Sequence, residues 1–192
     1  MIRLKRFRWL ILFCMLLLAS GSFFWVLRWD SEENAVYEAT IREAFSDDVP
    51  QYAILDMTLP MDRIGISTFH AKKLGLPLSA VASYAAKNFF RFRIPPTLRL
   101  PHPFTMVSQQ DLNMVYGPGQ VQSAKVNELN ALLQQTYGVI TLSRVGFDRS
   151  GSHAVIYAQL TYCGLCGEGV YLYLSKETGA WHIIDRSGTW IS

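Results

Sequence analysis

Two cysteines spaced for thiol chemistry lie near the end of this sequence, in the stretch "TYCGLCGEGV" at residues 161–170. Such a Cys-x-x-Cys pair can be a redox centre, half of a metal site, or a disulfide-closed turn. A redox centre needs a thiolate, which a helix N-terminus usually stabilises. The β-rich residues "GEGVYLYL" follow Cys166 instead, and they predict a strand. Redox use of Cys163 and Cys166 therefore stays an alternative.

A metal site at this pair would need two further ligands, because structural zinc normally takes four Cys or His side chains. The candidates are His153 and His182, but His153 precedes Cys163 by ten residues, which is roughly 30 Å along a strand. We therefore predict no metal site and no other cofactor. In an oxidising compartment, Cys163 and Cys166 are expected to form a disulfide that closes their own hairpin loop.

One carboxylate accompanies the cysteines in the glycine-rich loop at residues 163–169. Glu168 is the obvious acid-base candidate there, and an enzyme of unknown class could use it. A cleft that holds Glu168 beside Arg144 or His182 would favour the enzyme. A loop exposed at the sheet edge would favour a binding module. The residues form no recognisable nucleophile motif, so we assign no catalytic residue.

A basic and aromatic segment, "KNFFRFR" at residues 87–93, interleaves phenylalanines with Lys87, Arg91 and Arg93. This pattern is typical of segments that meet an anionic partner or lipid headgroups. The other interpretation is a helix whose phenylalanines lie in the core and whose charges are solvated. These three cations and Glu168 are the candidate binding residues.

The first 30 residues contain a long uncharged segment. It runs for 19 residues from Trp9 to Leu27, about 28 Å as a helix, which is close to the hydrocarbon thickness of a bilayer. Four basic residues precede it, which places the N-terminus in the cytoplasm. We therefore predict a single-pass protein of the cytoplasmic membrane whose body lies outside. The alternative is a cleaved signal and a secreted or periplasmic protein.

Charge excludes one class of partner. Beyond residue 29 the chain has 13 basic and 15 acidic residues, a net charge of −2. Nucleic-acid binding therefore loses its electrostatic support. The predicted partners are the lipid bilayer through residues 9–27 and either an envelope protein or an anionic surface.

The remaining pattern predicts an α+β fold. Residues 1–29 would form the cytoplasmic tip and transmembrane helix, and residues 30–192 a single domain. Its first part, 30–137, is mainly helical by pattern, with helices beginning near Ser79, Ser108 and Ser123. Its last part, 138–192, has β-branched and aromatic runs separated by short turns, which predict a four-stranded antiparallel meander.

The last 50 residues resemble a group of uncharacterised bacterial proteins that are mostly exported or membrane-anchored. The shared features are Ser-Arg-Val-Gly-Phe at 143–147, the Cys-Gly-x-x-Cys-Gly-x-Gly turn that begins at Cys163, and a closing Trp190-x-Ser192. That group has no assigned activity, so the resemblance implies an envelope location and adds no mechanism. We expect a non-enzymatic binding or interaction module, with an enzyme of unknown class or a thiol-disulfide redox protein as the alternatives.

Overall fold

Helices and strands are mixed in the first part of the chain, and strands dominate the last part. The structure is a computed structural model that describes residues 31–45, 50–117, 123–136, 138–163 and 166–191. The helices are α1 (31–44), α2 (Met61–Ile64), α3 (Thr68–Lys73), α4 (Leu78–Lys87), α5 (Gln109–Tyr116) and α6 (Ala124–Gln135). The strands are β1 (Tyr52–Leu55), β2 (Phe104–Val107), β3 (Val139–Leu142), β4 (Gly146–Phe147), β5 (His153–Thr161), β6 (Gly167–Ser175) and β7 (His182–Ile191).

These seven strands form one mixed sheet. The order is β2-β1-β3-β5-β6-β7, and β4 pairs with β5 at the side. Strand β1 pairs in parallel with β2 and β3, whereas the pairs from β3 through β5 and β6 to β7 are antiparallel. All four residues of β1 and of β3 are buried, as is usual where parallel strands are covered on both faces.

The α+β class is confirmed, but the prediction of a four-stranded antiparallel meander was wrong. The antiparallel strands that were predicted in 138–192 are one part of a larger sheet that also contains β1 and β2. Both missed strands have only four residues, and Pro50, Pro60 and Pro103 stand close to their ends. All four residues of β1 are buried, and the burial of β2 does not alternate along the strand, so periodicity could not identify either strand.

Two helix groups cover the same face of the sheet. The α2–α4 group buries Tyr84 and Ile64 against Val155 and Tyr157 of β5. The α5–α6 group buries apolar side chains against β1, β2 and β3: Val115 and Leu133 pack on Ala53, Leu55, Val107 and Val139. The pairing registers place the residues of both clusters on one side of the sheet. The sheet therefore forms the floor of a gap between the two helix groups.

Serine caps explain where two helices begin. Ser108 accepts a hydrogen bond from the Asp111 N–H, and Asp111 accepts one from the Ser108 N–H, which together form a capping box. Ser123 caps α6 through the Val126 N–H. The helices predicted at these two serines are confirmed. The helix predicted at Ser79 begins at Leu78, after Pro77.

The predicted transmembrane helix at residues 9–27 lies outside the described residues. Within the described ranges, every helix is too short or too polar to cross a bilayer. We do not retain the predicted single-pass localisation in the cytoplasmic membrane.

Candidate functional site

Two glycines of β6 make room for the indole of Trp190. The register pairs Gly169 with Trp190 on the adjacent strand β7. A Cβ atom on Gly169 would overlap the Trp190 indole nitrogen and the Tyr157 hydroxyl, and one on Gly167 would lie 3.0 Å from the indole ring. The Trp190 indole N–H donates to the Tyr157 hydroxyl at 2.9 Å. The indole therefore extends from β7 over Gly169 of β6 to Tyr157 of β5. The exposed fraction of Trp190 is 37%.

A cavity of about 300 Å³ lies beside this indole, in the gap between the α2–α4 group and the α5–α6 group. We call it the Trp190 cleft. Its lining comes from the sheet, from α2, from α5 and from the segments next to them: Leu55, Leu59, Arg63, Ile64, Gln109, Leu112, Asn113, Tyr116, Gly117, Thr141, Tyr157, Gln159, Thr161 and Trp190. The volume is at the lower end of the range for small-molecule pockets.

The floor of the Trp190 cleft is polar, although it belongs to the covered face of the sheet. Thr141 pairs with Gln159 in the antiparallel register, and Tyr157 and Thr161 lie on the same face. The Gln159 side-chain N–H donates to the Thr161 hydroxyl at 3.0 Å. No described residue hydrogen-bonds the Thr141 hydroxyl or the Gln159 side-chain carbonyl. Polar groups that face a cavity without partners can bind a ligand.

Two buried tyrosines hold the wall that α2 contributes. The Tyr84 and Tyr171 hydroxyls both donate to the Ile64 carbonyl, at 3.1 and 3.0 Å. The Met61 N–H at the start of α2 donates to the Asn88 carbonyl at 2.7 Å. These bonds fix both ends of the four-residue helix, and with it the backbone of Arg63. Helix α5 forms the opposite wall, where the Gln109 side-chain N–H donates to the Asn113 side-chain oxygen at 3.2 Å.

Burial keeps these tyrosines protonated. Desolvation raises the pKa of Tyr84 well above its usual value, and desolvation with a smaller effect of Tyr157 raises the pKa of Tyr171 to about 12. Burial also raises the pKa of Tyr116 in the cleft wall. The raised pKa values extend into the alkaline range the interval over which both hydroxyls stay protonated and donate to the Ile64 carbonyl.

Alkaline pH is expected to destabilise the protein through Tyr171. In the unfolded chain its phenol ionises near pH 10, whereas the folded protein keeps the proton to about pH 12. Stability is therefore lost as pH rises from 10 to 12, by up to about 3 kcal/mol for this group. The Tyr171→Phe variant should lose less stability over this interval in urea unfolding. Phenylalanine at the exposed Tyr162 is the control, and equal losses in both variants would contradict the assignment.

The predicted disulfide pair lies in the β5–β6 hairpin, close to the glycines under Trp190. The Cys163 and Cys166 sulfur atoms are at bonding distance, with Cα atoms 4.9 Å apart. The Tyr162 N–H also donates to the Cys166 carbonyl at 3.0 Å. Neither cysteine lines the Trp190 cleft. The thiol-disulfide alternative gains no support from this geometry.

Glu168 is not brought together with its proposed partners. Its neighbours across the sheet are Leu160 and Ile191, so it alternates to the face opposite the Trp190 cleft. His182 pairs with Ser175, seven residues further along β6, which is roughly 23 Å away. Arg144 instead covers the Phe92 ring at 4.1 Å. No described arrangement joins Glu168 to either residue.

Lys87 is the last residue of α4, and Arg91 and Arg93 follow it in the next segment. Lys87 lies over the Phe147 ring at 4.7 Å, and Arg93 is 3.8 Å from the Asp56 carboxylate. Helix α4 ends at Lys87, and the phenylalanines that follow are not core residues, because Phe89 and Phe90 are 70% and 74% exposed. A role of this segment at an anionic surface or a protein partner stays a prediction.

Sequence reasoning missed the residues of the Trp190 cleft. The available signal was the alternation Tyr157, Gln159, Thr161 in β5, together with Thr141 in β3, which places polar side chains on a face that is otherwise apolar. Arg63 gave no signal, because its position beside the sheet depends on how α2 packs. Among the described residues, no group of His, Cys, Asp and Glu is placed to hold a metal ion.

Comparisons with known proteins identified no relative of this chain. No protein-family model, no curated protein and no solved structure matches the chain. The resemblance of the last 50 residues to uncharacterised bacterial proteins stays a prediction.

Proposed function

We propose that this protein is a binding module that holds a small polar molecule in the Trp190 cleft. The observation that carries the proposal is the polar floor of the cleft on an otherwise apolar sheet face, where the Thr141 hydroxyl and the Gln159 carbonyl have no described partner. A polar group on a covered sheet face costs free energy unless it is hydrogen-bonded. A ligand that bonds these groups would remove that cost.

The aromatic rim supports the same proposal. The Trp190 indole is fixed by its bond to Tyr157 and still partly exposed, so a ligand can pack on it without ordering it first. Leu55, Leu59 and Leu112 supply apolar contact in the same cavity. A few convergent polar groups in a partly apolar cavity are typical of small-molecule sites.

An enzyme with a site at the 163–169 loop has less support. Glu168 faces away from the cleft, and the described lining contains no carboxylate, histidine or cysteine. General acid-base catalysis usually uses one of these side chains, although tyrosine can also serve. Binding is therefore the better account of this lining.

Filling the cleft is expected to abolish ligand binding. Asn113 is exposed on α5 and lines the cleft, so Asn113→Trp should occupy the cavity with little effect on folding. Gln110 is exposed on the same helix outside the lining, and Gln110→Trp is the matched control. In a fragment titration followed by ¹H–¹⁵N NMR, compounds should shift the Trp190 indole N–H signal in the native protein and the Gln110→Trp variant. They should not shift it in the Asn113→Trp variant. Equal responses in both variants would contradict the proposal.

A further inference from the structure

Arg63 supplies the only charged side chain among the described lining residues of the Trp190 cleft. It belongs to α2, and its guanidinium makes no hydrogen bond or ion pair with any described residue. The neighbouring Asp62 does not pair with it either. An exposed arginine without a partner is common on a surface. This one differs because it lines a cavity in which the Thr141 hydroxyl and the Gln159 side-chain carbonyl also have no described partner.

The backbone that carries Arg63 is held in place. Tyr84 and Tyr171 donate to the Ile64 carbonyl directly after it, and the Asn88 carbonyl accepts from the Met61 N–H two residues before it. The backbone from which the Arg63 side chain extends is therefore fixed at the cleft wall. A preorganised position reduces the entropy that is lost when the side chain binds a ligand.

The other groups in the lining are neutral and include hydrogen-bond donors. The Tyr157 hydroxyl accepts the indole proton of Trp190, so its own proton is left for an acceptor. The Asn113 side-chain amide N–H groups have no described acceptor. The described lining holds no negative charge that would repel an anion. A single guanidinium with neutral donors matches one carboxylate, which it can bind through two parallel N–H···O bonds, whereas phosphorylated motifs are typically recognised by clusters of arginines.

We propose that the ligand of the Trp190 cleft carries a carboxylate, which Arg63 binds through the paired N–H groups of its guanidinium. The remainder of the ligand lies over Thr141 and Gln159 and packs against Trp190. This inference rests on the proposed binding function. It adds the charge of the ligand and the residue that recognises it.

Matched acid and amide pairs test the inference. The probes are 4-hydroxyphenylacetate against 4-hydroxyphenylacetamide and N-acetylglycine against its amide, each titrated into the full chain while the Trp190 indole N–H signal is followed. The native protein should bind each acid at least about tenfold more tightly than its amide, because hydrogen bonds to a charged group are roughly twice as strong as neutral ones. Arg63→Gln should remove that preference.

Arg149→Gln is the matched control. Arg149 is exposed in the turn before β5, at the His153 end of the strand and roughly 20 Å from Gln159. Its loss changes the net charge equally and should leave the acid preference intact. An equal loss in both variants would overturn the role of Arg63.

Two further outcomes separate the inference from the proposed function. Equal binding of acid and amide, with shifts of the Trp190 signal, would overturn the carboxylate inference and leave the binding function standing. No shift of the Trp190 signal with any of the four probes would overturn the inference. If the fragment titration also fails to shift that signal, the binding function falls as well.

Discussion

Replacing Gly169 by alanine is expected to lower the free energy of unfolding by about 1–3 kcal/mol and to displace the Trp190 indole. The added Cβ would overlap the Tyr157 hydroxyl and the Trp190 indole nitrogen, and it would lie 2.8 Å from the Thr189 hydroxyl. Overpacking of this kind forces side chains off their preferred rotamers. Because the indole forms the rim of the Trp190 cleft, ligand binding should fall together with stability. Urea unfolding and the Trp190 indole N–H signal measure the two effects.

Gly188→Ala is the matched control for this change. Gly188 lies on the neighbouring strand β7, and a Cβ atom there would meet no other atom within 4 Å. The control should change stability by no more than about 0.5 kcal/mol and should leave the indole signal in place. If Gly169→Ala behaves like Gly188→Ala, the glycines do not seat Trp190, and the link between the glycine-rich turn and the cleft is wrong.

Replacing Asn88 by alanine is expected to cost about 2–4 kcal/mol of stability. The side chain of this fully buried residue accepts from the Arg144 N–H at 2.7 Å and donates to the carbonyls of Arg144 and Tyr84 at 3.0 and 2.9 Å. Alanine removes all three bonds at once. Each lost partner of a buried polar group costs about 1–3 kcal/mol, and the costs are not fully additive.

The effect of Asn88→Ala should extend to the cleft. The Asn88 carbonyl accepts from the Met61 N–H, so a shift of this residue also moves the start of α2 and the backbone of Arg63. Asn130→Ala is the control, since Asn130 is exposed on α6 and a surface substitution there should stay within about 0.5 kcal/mol. The comparison is made by urea unfolding. A loss below 1 kcal/mol for Asn88→Ala would contradict the assigned network.

Local signals were sufficient for the helices that have their own caps. Ser108, with Asp111 three residues later, indicates the start of α5, and Ser123 indicates the start of α6. A side-chain oxygen that accepts from the first free N–H groups of a helix is a local arrangement, so the sequence shows it directly. The long antiparallel strands β5 and β6 were also predicted in approximately the right place. Their registers depend on a short hairpin, which is also local.

Non-local pairing explains what the sequence did not reveal. Strand β1 is only four residues long, and its partners β2 and β3 begin about fifty and ninety residues later. The break between β3 and β4 likewise depends on Asn88, which bonds the backbone of Arg144 from another part of the chain. Such contacts leave no periodic signal in the strands themselves.

The position of the cysteine pair in the fold connects it with the Trp190 cleft. It closes the hairpin that leads into Gly167 and Gly169, which lie directly under Trp190. In the sequence, Trp190 follows Gly169 by 21 residues. Cross-strand pairing joins them, because residue 169 faces residue 190 in the sheet. The glycines of the turn therefore serve the cleft by leaving space, although the cysteines do not line it.

Intermolecular NOE measurements on the bound protein test the central claim most directly. With 4-hydroxyphenylacetate as the ligand and isotope-labelled protein, the account predicts NOEs from the ligand ring to the Trp190 indole and to the methyl groups of Thr141 and Leu112. These residues come from a strand at the sheet edge, a central strand and a helix, and they meet only at the Trp190 cleft. NOEs confined to the exposed Phe89 and Phe90, with none to the cleft residues, would contradict the account.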